Sequence, residues 1–138
     1  MLVTPEIQNL IPQKPPMVMV DGLSEHNENI TVSRLILSKN NLFCKNGYFH
    51  EPGLVENMAQ TAALRSGYEA FLKNEKPKVG FIGSLKNIVI HELPKDSDEL
   101  QTKLTVLNEL LQALIIRCEV YVDKKLMAEG EMTIFLKD

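Results

Sequence analysis

Residues 52–73 read PGLVENMAQTAALRSGYEAFLK. Leu54, Val55, Met58, Ala59 and Ala62 recur at steps of three and four, the spacing of a helix face. Pro52 suits a first helical position, and KNEKP at 73–77 stops the run. Alanine, leucine and methionine are spread around most of it, so the predicted helix is to be buried on nearly all sides. The chain offers a single long helix of this kind; most of what surrounds it reads as strands. A buried helix among strands needs a curved sheet around it, which makes the predicted class α+β, an antiparallel sheet wrapped around one long central helix. Glu56 is the anomaly: a carboxylate in the first turns of an apolar helix has no packing reason to be there.

Toward the N-terminus, TPEIQNL (4–10) reads as a short helix with Thr4 as N-cap and Pro5 in the first turn. IPQKPP (11–16) imposes an extended loop. MVMVDGL (17–23) reads as a strand and ITVSRLIL (30–37) as a second one, with an alternation that slips near Arg34 and suggests a bulge there. NNLFCKNGYFHEPG (40–53) is an Asn- and Gly-rich loop leading into the helix. Beyond the helix, VGFIGSLKNIVIHEL (79–93) is a long strand in which Gly80 and Gly83 suggest bending or close approach of another backbone. LPKDSDEL (93–100) is a turn. ELQTKLTVLNELLQ (99–112), ALIIRCEVYVDKK (113–125) and LMAEGEMTIFLKD (126–138) complete the set, with VDKK (122–125) as a tight hairpin. Ile116, Cys118 and Val120 alternate with Ile115, Arg117 and Glu119, and Met132, Ile134 and Leu136 share a face. The leucines of LNELLQALII (107–116) would also serve a helix; flanking charged and β-branched residues at strand spacing favour strand.

The 138 residues suit one domain, spanning 1–138. Hydrophobic content of 44% and charged content of 24% are those of a soluble globular protein. A net charge of −3 argues against nucleic acid as the main partner. The two cysteines, Cys44 and Cys118, have no metal-ligand spacing and read as reduced, semi-buried thiols. No basic-then-apolar leader opens the chain and no apolar run reaches about 18 residues, so no membrane span and a cytoplasmic location are expected.

Four segments carry a resemblance. LIPQKPPMVMVDGL (10–23) resembles a Leu-Leu-Pro-His-Arg-x-Pro opening that leads into a strand ending Val-Asp. ENMAQTAA (56–63) resembles a Glu-x-x-Ala-Gln helix, IGSLKNIVIHELPKDSDEL (82–100) a strand and turn ending Pro-Gly-Asp-x-Leu, and VDKKLMAEGEM (122–132) a final hairpin. Together they resemble the hot-dog-fold β-hydroxyacyl–acyl-carrier-protein dehydratases from end to end, and most of all the divergent dehydratase-like subunits linked to aryl-polyene and flexirubin-type pigments. The resemblance implies a hot-dog fold, dehydration of 3-hydroxyacyl thioesters on an acyl-carrier protein, no cofactor and no metal. It also implies a homodimer or higher hot-dog oligomer, or a hetero-oligomer with a related subunit, in which a His and a Glu meet across a subunit interface. The chain departs from the pattern at Gln13-Lys14, where the family carries His-Arg, and at His50. That His precedes Glu56 by only about six positions and lacks the Phe-Pro that follows the family's catalytic His.

Dehydration needs a base for the C2 proton, an acid for the leaving C3 hydroxyl and donors for the thioester oxygen. Carried over, the resemblance makes His50 the base and Glu56 the acid, because a carboxyl in an apolar pocket is driven toward its protonated form. Gly53 and Gln60 are the substrate-binding candidates, Gly53 at a helix N-terminus where backbone N–H groups are free. Each has a plainer reading. Glu56 suits the positive end of the helix dipole, His50 suits an exposed loop, Gly53 a turn, and Gln60 bonds to neighbouring backbone. His26, between Glu25 and Glu28, reads as solvated, and His91, Asp21 and Asp123 as strand-end and turn residues. A non-catalytic partner subunit and a thioesterase, with the helix carboxylate activating water, are the competing functions.

Overall fold

The central helix, α1, spans Glu51–Leu72, one residue earlier at each end than the pattern predicts. The computed structural model describes Leu2 and residues 4–137. In chain order, β1 (Gly22–His26), β2 (Ile30–Ile36), the short β3 (Cys44–Lys45) and β4 (Tyr48–Phe49) precede α1, and β5 (Val79–Ile90), β6 (Glu99–Glu109), β7 (Ala113–Val122) and β8 (Lys125–Lys137) follow it. Six strands form one sheet in the order β1-β2-β6-β7-β8-β5, every pair antiparallel. The helix packs against this sheet. This is the antiparallel sheet around one long helix that the sequence pattern predicts, and the hot-dog arrangement that the resemblance implies.

Turn chemistry sets the joins. Asn46-Gly47 and Asp123-Lys124 both adopt positive φ, which two-residue hairpin turns of the mirror-image kind require. The first closes β3 onto β4 inside the segment predicted as loop; the second joins β7 to β8 as predicted. LNELLQALII folds as strand, turn, strand, with β6 ending at Glu109 and β7 starting at Ala113. Along β7 the predicted face is the buried one: Ile116, Cys118 and Val120 are fully enclosed, and Met132 and Ile134 of β8 pack with them around Leu54, Met58 and Ala62.

The helix is buried nearly all round but not by apolar residues alone. Asn57, Gln60, Thr61 and Arg65 are as buried as Leu54 and Leu64, and Asn57, Thr61 and Arg65 face buried Thr102, Ser33 and Thr31 on β6 and β2. The Ser33 and Thr61 hydroxyls lie 2.7 Å apart. Thr102 donates to Asn57 Oδ1, and Arg65 donates to the Thr31 hydroxyl at 2.8 Å and to the Asn27 and Glu28 carbonyls at 3.0 and 2.7 Å. This polar seam explains the slipped alternation in ITVSRLIL. β2 turns its small hydroxyl residues toward the helix, and Arg34 sits in regular register opposite Gly22 and Gln101. The register shift lies on β1, between Leu23 and Glu25.

Two N-terminal expectations are corrected. TPEIQNL forms only a 3-10 turn at Ile7–Asn9, with Glu6 rather than Thr4 at its cap position and no side-chain cap; three residues cannot propagate an α-helix. MVMVDGL is not a strand over most of its length; β1 starts at Gly22. The reason is the helix. Asn57 Nδ2 donates to the Met19 carbonyl at 2.7 Å, and Met19 N–H donates to Gln60 Oε1 at 2.6 Å, so polar helix side chains hold the backbone that a neighbouring strand would otherwise pair. His26 is likewise not solvated. Its side chain is 9% exposed, stacked edge-on against Tyr68 at 5.3 Å, with Nδ1 3.0 Å from the Thr31 hydroxyl.

Candidate active site

Four small or short residues of α1 — Glu56, Ala59, Ala63 and Ser66 — fall on one stripe that the sheet does not cover completely. Their small side chains leave a cavity of about 210 Å³. Phe81 and Ile82 of β5 and Ile134 and Leu136 of β8 form its apolar walls, Gln13 borders it from the N-terminal loop, and Lys78 stands beside it. The polar side chains of Gln13, Glu56, Ser66 and Lys78 share the lining with these apolar walls, which suits a ligand with an aliphatic part and a polar group.

Glu56 is half-buried at this cavity. Gln60, one turn further along, orients it: Gln60 Nε2 donates to Glu56 Oε1 at 3.0 Å and to the Met17 carbonyl at 2.7 Å. Gln60 itself has no exposed surface. With Oε1 accepting from Met19 N–H, its amide is used on every side, so it holds Glu56 and the N-terminal loop in one frame and leaves Glu56 Oε2 for other work. Gly53 is buried in a different contact. A Cβ there would lie 2.5 Å from the Phe49 ring, so glycine lets α1 start tight against β4, and its N–H bonds the His50 carbonyl at 2.9 Å.

His50 occupies the N-cap position of α1. Its Nε2 lies 2.9 Å from the Lys45 carbonyl and its Nδ1 3.7 Å from Glu51 Oε1. It is absent from the residues lining the Glu56 cavity. Within one chain, therefore, Glu56 and Gln60 come together, while His50 and Gly53 lie with the β3–β4 hairpin and β4. The residue that sequence reasoning passes over is Gln13, noticed only as a departure from the His-Arg opening. The other histidine, His91, pairs with Glu129 at 2.7 Å, and Glu129 also binds Arg117. Burial pushes the Cys118 thiol up to about 12, with Glu119 adding to the effect. Among the described residues, no three His, Cys, Asp or Glu side chains group as metal ligands, and no helix is long and apolar enough to cross a membrane.

A family model described as ApeP dehydratase, ApeP-like, matches residues 5–138. A 3-hydroxyacyl-[acyl-carrier-protein] dehydratase FabZ of Lactobacillus helveticus is 25% identical over 96% of this chain and 92% of its own length. An uncharacterised thioester dehydrase of Halalkalibacterium halodurans is 26% identical over 94% of this chain and 86% of its own. Among solved structures, the dehydratase heterocomplex ApeI:P from Xenorhabdus doucetiae superposes with a TM-score of 0.91 at 14% identity, covering 99% of this chain and 93% of that one. A hypothetical thioesterase of Streptococcus pneumoniae with coenzyme A reaches 0.66 at 13% identity, over 83% and 86%; both likenesses speak to the fold.

Proposed function

Because the chain belongs to the ApeP-like dehydratase family, we propose that it dehydrates 3-hydroxyacyl thioesters carried on an acyl-carrier protein. The observation that carries this reading is Glu56, a half-buried carboxyl bordering a hollow walled by Phe81, Ile82, Ile134 and Leu136, with one oxygen taken up by Gln60. A base removes a C2 proton, the C2–H electrons form the C2–C3 double bond, and the C3–O bond breaks as Glu56 gives its proton to the departing hydroxyl. Water leaves and the enoyl thioester remains. The FabZ names of the relatives support the substrate class. Gln60 acts as a positioning residue, and Gly53 acts by letting the helix start close to β4.

The base is the less complete part. His50 lies outside the Glu56 cavity of its own chain, which favours assembly: a subunit packed along β5 brings a His to the cavity mouth. The β5 edge supports this, because Val79, Phe81, Leu85 and Val89 are all exposed on it and an unpaired, apolar strand edge invites another strand. That subunit is a second copy or, as the heterocomplex relative suggests, a related chain. In the second case this protein supplies the Glu56 half of a mixed site and is inactive alone.

The test is turnover of a crotonyl thioester by the assembled protein. Glu56→Gln should abolish hydration with the fold intact, because glutamine keeps the shape but has no proton to give. His50→Ala should cost roughly 10²–10⁴-fold if His50 is the base, and nothing if a related subunit provides it. Full activity in Glu56→Gln would refute the assignment; free thiol release without hydration would favour the thioesterase.

A further inference from the structure

We propose that Gln13 receives the 3-hydroxyl of the substrate inside the Glu56 cavity, so that this loop residue separates hydroxyacyl from enoyl ligands. The assignment rests on the dehydratase reading and adds a residue to it. Gln13 and Glu56 border the same hollow. Gln13 Oε1 is buried and has no hydrogen-bond partner among the described residues. A buried acceptor left unpaired destabilises the fold, a cost that turning the amide toward the hollow and meeting a donor on a bound ligand would relieve.

The loop that bears it is held on both sides. Before Gln13, Leu10 and Ile11 are buried, and the Leu10 carbonyl lies so close to Gly67 that a Cβ on that residue would come within 1.9 Å of it. After Gln13, the Met17 and Met19 backbone is tied to Gln60 and Asn57. Gln60 thus bonds both Glu56 and the loop carrying Gln13. One buried amide ties Glu56 to the loop that carries Gln13, the kind of support that a preformed polar site needs.

The chemistry selects the ligand group. An amide oxygen only accepts, so it cannot bond the thioester carbonyl, which also only accepts. The 3-hydroxyl is the donor on the acyl part. Giving its hydrogen to Gln13 leaves its lone pairs for the Glu56 proton. Once Glu56 has protonated that oxygen and C3–O has broken, the enoyl product has no group left for Gln13.

Binding in a non-turnover background tests this. Glu56→Gln and Glu56→Gln/Gln13→Met would be titrated, as the assembled oligomer, with 3-hydroxybutyryl and crotonyl thioesters on acyl-carrier protein. Gln13→Met should weaken the hydroxyacyl ligand about tenfold, the worth of one hydrogen bond, and leave the crotonyl ligand within about twofold. The melting temperature should hold or rise, since an unpaired buried acceptor is removed. Equal loss for both ligands would place Gln13 against the chain or the carrier arm and overturn the proposal, as would no change for either. A melting temperature that falls along with both affinities would mark a structural residue and overturn it too. Wild-type protein that neither hydrates the crotonyl thioester nor binds it refutes the dehydratase reading itself, an outcome separate from a working enzyme that ignores Gln13.

Discussion

His26 shows how far a residue's neighbours in sequence can differ from its neighbours in space. Glu25 and Glu28 flank it in the chain, yet the ring packs on Tyr68 beside Arg65, and its pKa is lowered by burial first and by the Arg65 charge second, with Glu69 opposing. The unfolded chain then binds more protons than the folded one from the ordinary value of 6.5 downward, so stability rises with pH through that window. The burial of the neutral ring is uncompromised above about pH 6.5 and is progressively offset below it. Melting temperatures measured from pH 7.5 down to 5.5 should fall, and His26→Gln should flatten that slope. An equal slope in the variant would show that other groups carry it. Gln60 makes the same point about geometry: the residue expected to touch substrate is enclosed and bonds Glu56 instead.

At the scale of elements, four of the twelve buried residues of α1 are polar, and this is where specificity of packing is lodged. Asn57 donates to the Met19 carbonyl and accepts from Thr102, while its own carbonyl takes the Thr61 hydroxyl at 2.8 Å. Asn57→Leu keeps the volume but leaves the Met19 carbonyl and the Thr102 hydroxyl buried without partners. At about 1–3 kcal/mol for each such group, the variant should lose roughly 2–6 kcal/mol, read as a lower urea midpoint with an unchanged m-value. It should also free the Met17–Met19 segment from α1 and so reduce turnover beyond the loss of stability. An unfolding free energy within about 0.5 kcal/mol of wild type would mean that the seam hydrates or repacks without cost.

For the whole molecule, the decisive feature is the unequal pair of sheet edges. β1 is five residues long and ends in the His26–Tyr68 contact; β5 is twelve residues long with apolar side chains exposed along it. Such an edge is the one that a second subunit would be expected to cover. Light scattering at micromolar concentration should give a mass at least twice that of the 15.6 kDa chain, alone or with a related hot-dog subunit. Replacing Leu85 and Val89, which are exposed on β5 and do not line the cavity, by lysine should reduce it to the monomer and remove activity together. A wild-type chain that is monomeric and fully active would refute assembly through β5.

The amino-acid order alone determined the elements whose signals are local. The 3.6-residue period of 52–73, the alternation in β7 and β8 and the Asp-Lys turn between them depend on near neighbours and were legible, as was the anomaly of Glu56. What tertiary structure decided was everything settled by groups far apart in the chain. Residues 17–20 have the composition of a strand, but Asn57 and Gln60, about forty positions away, take their backbone bonds. Thr31 and Ser33 look like the solvent face of β2 until α1 brings Arg65 and Thr61 against them. Gln13 reads as a mere departure in a proline-rich loop, because nothing local says that its oxygen is enclosed beside a carboxyl. A side chain's partners across the fold are set by chain closure and packing, and no single window of sequence contains them.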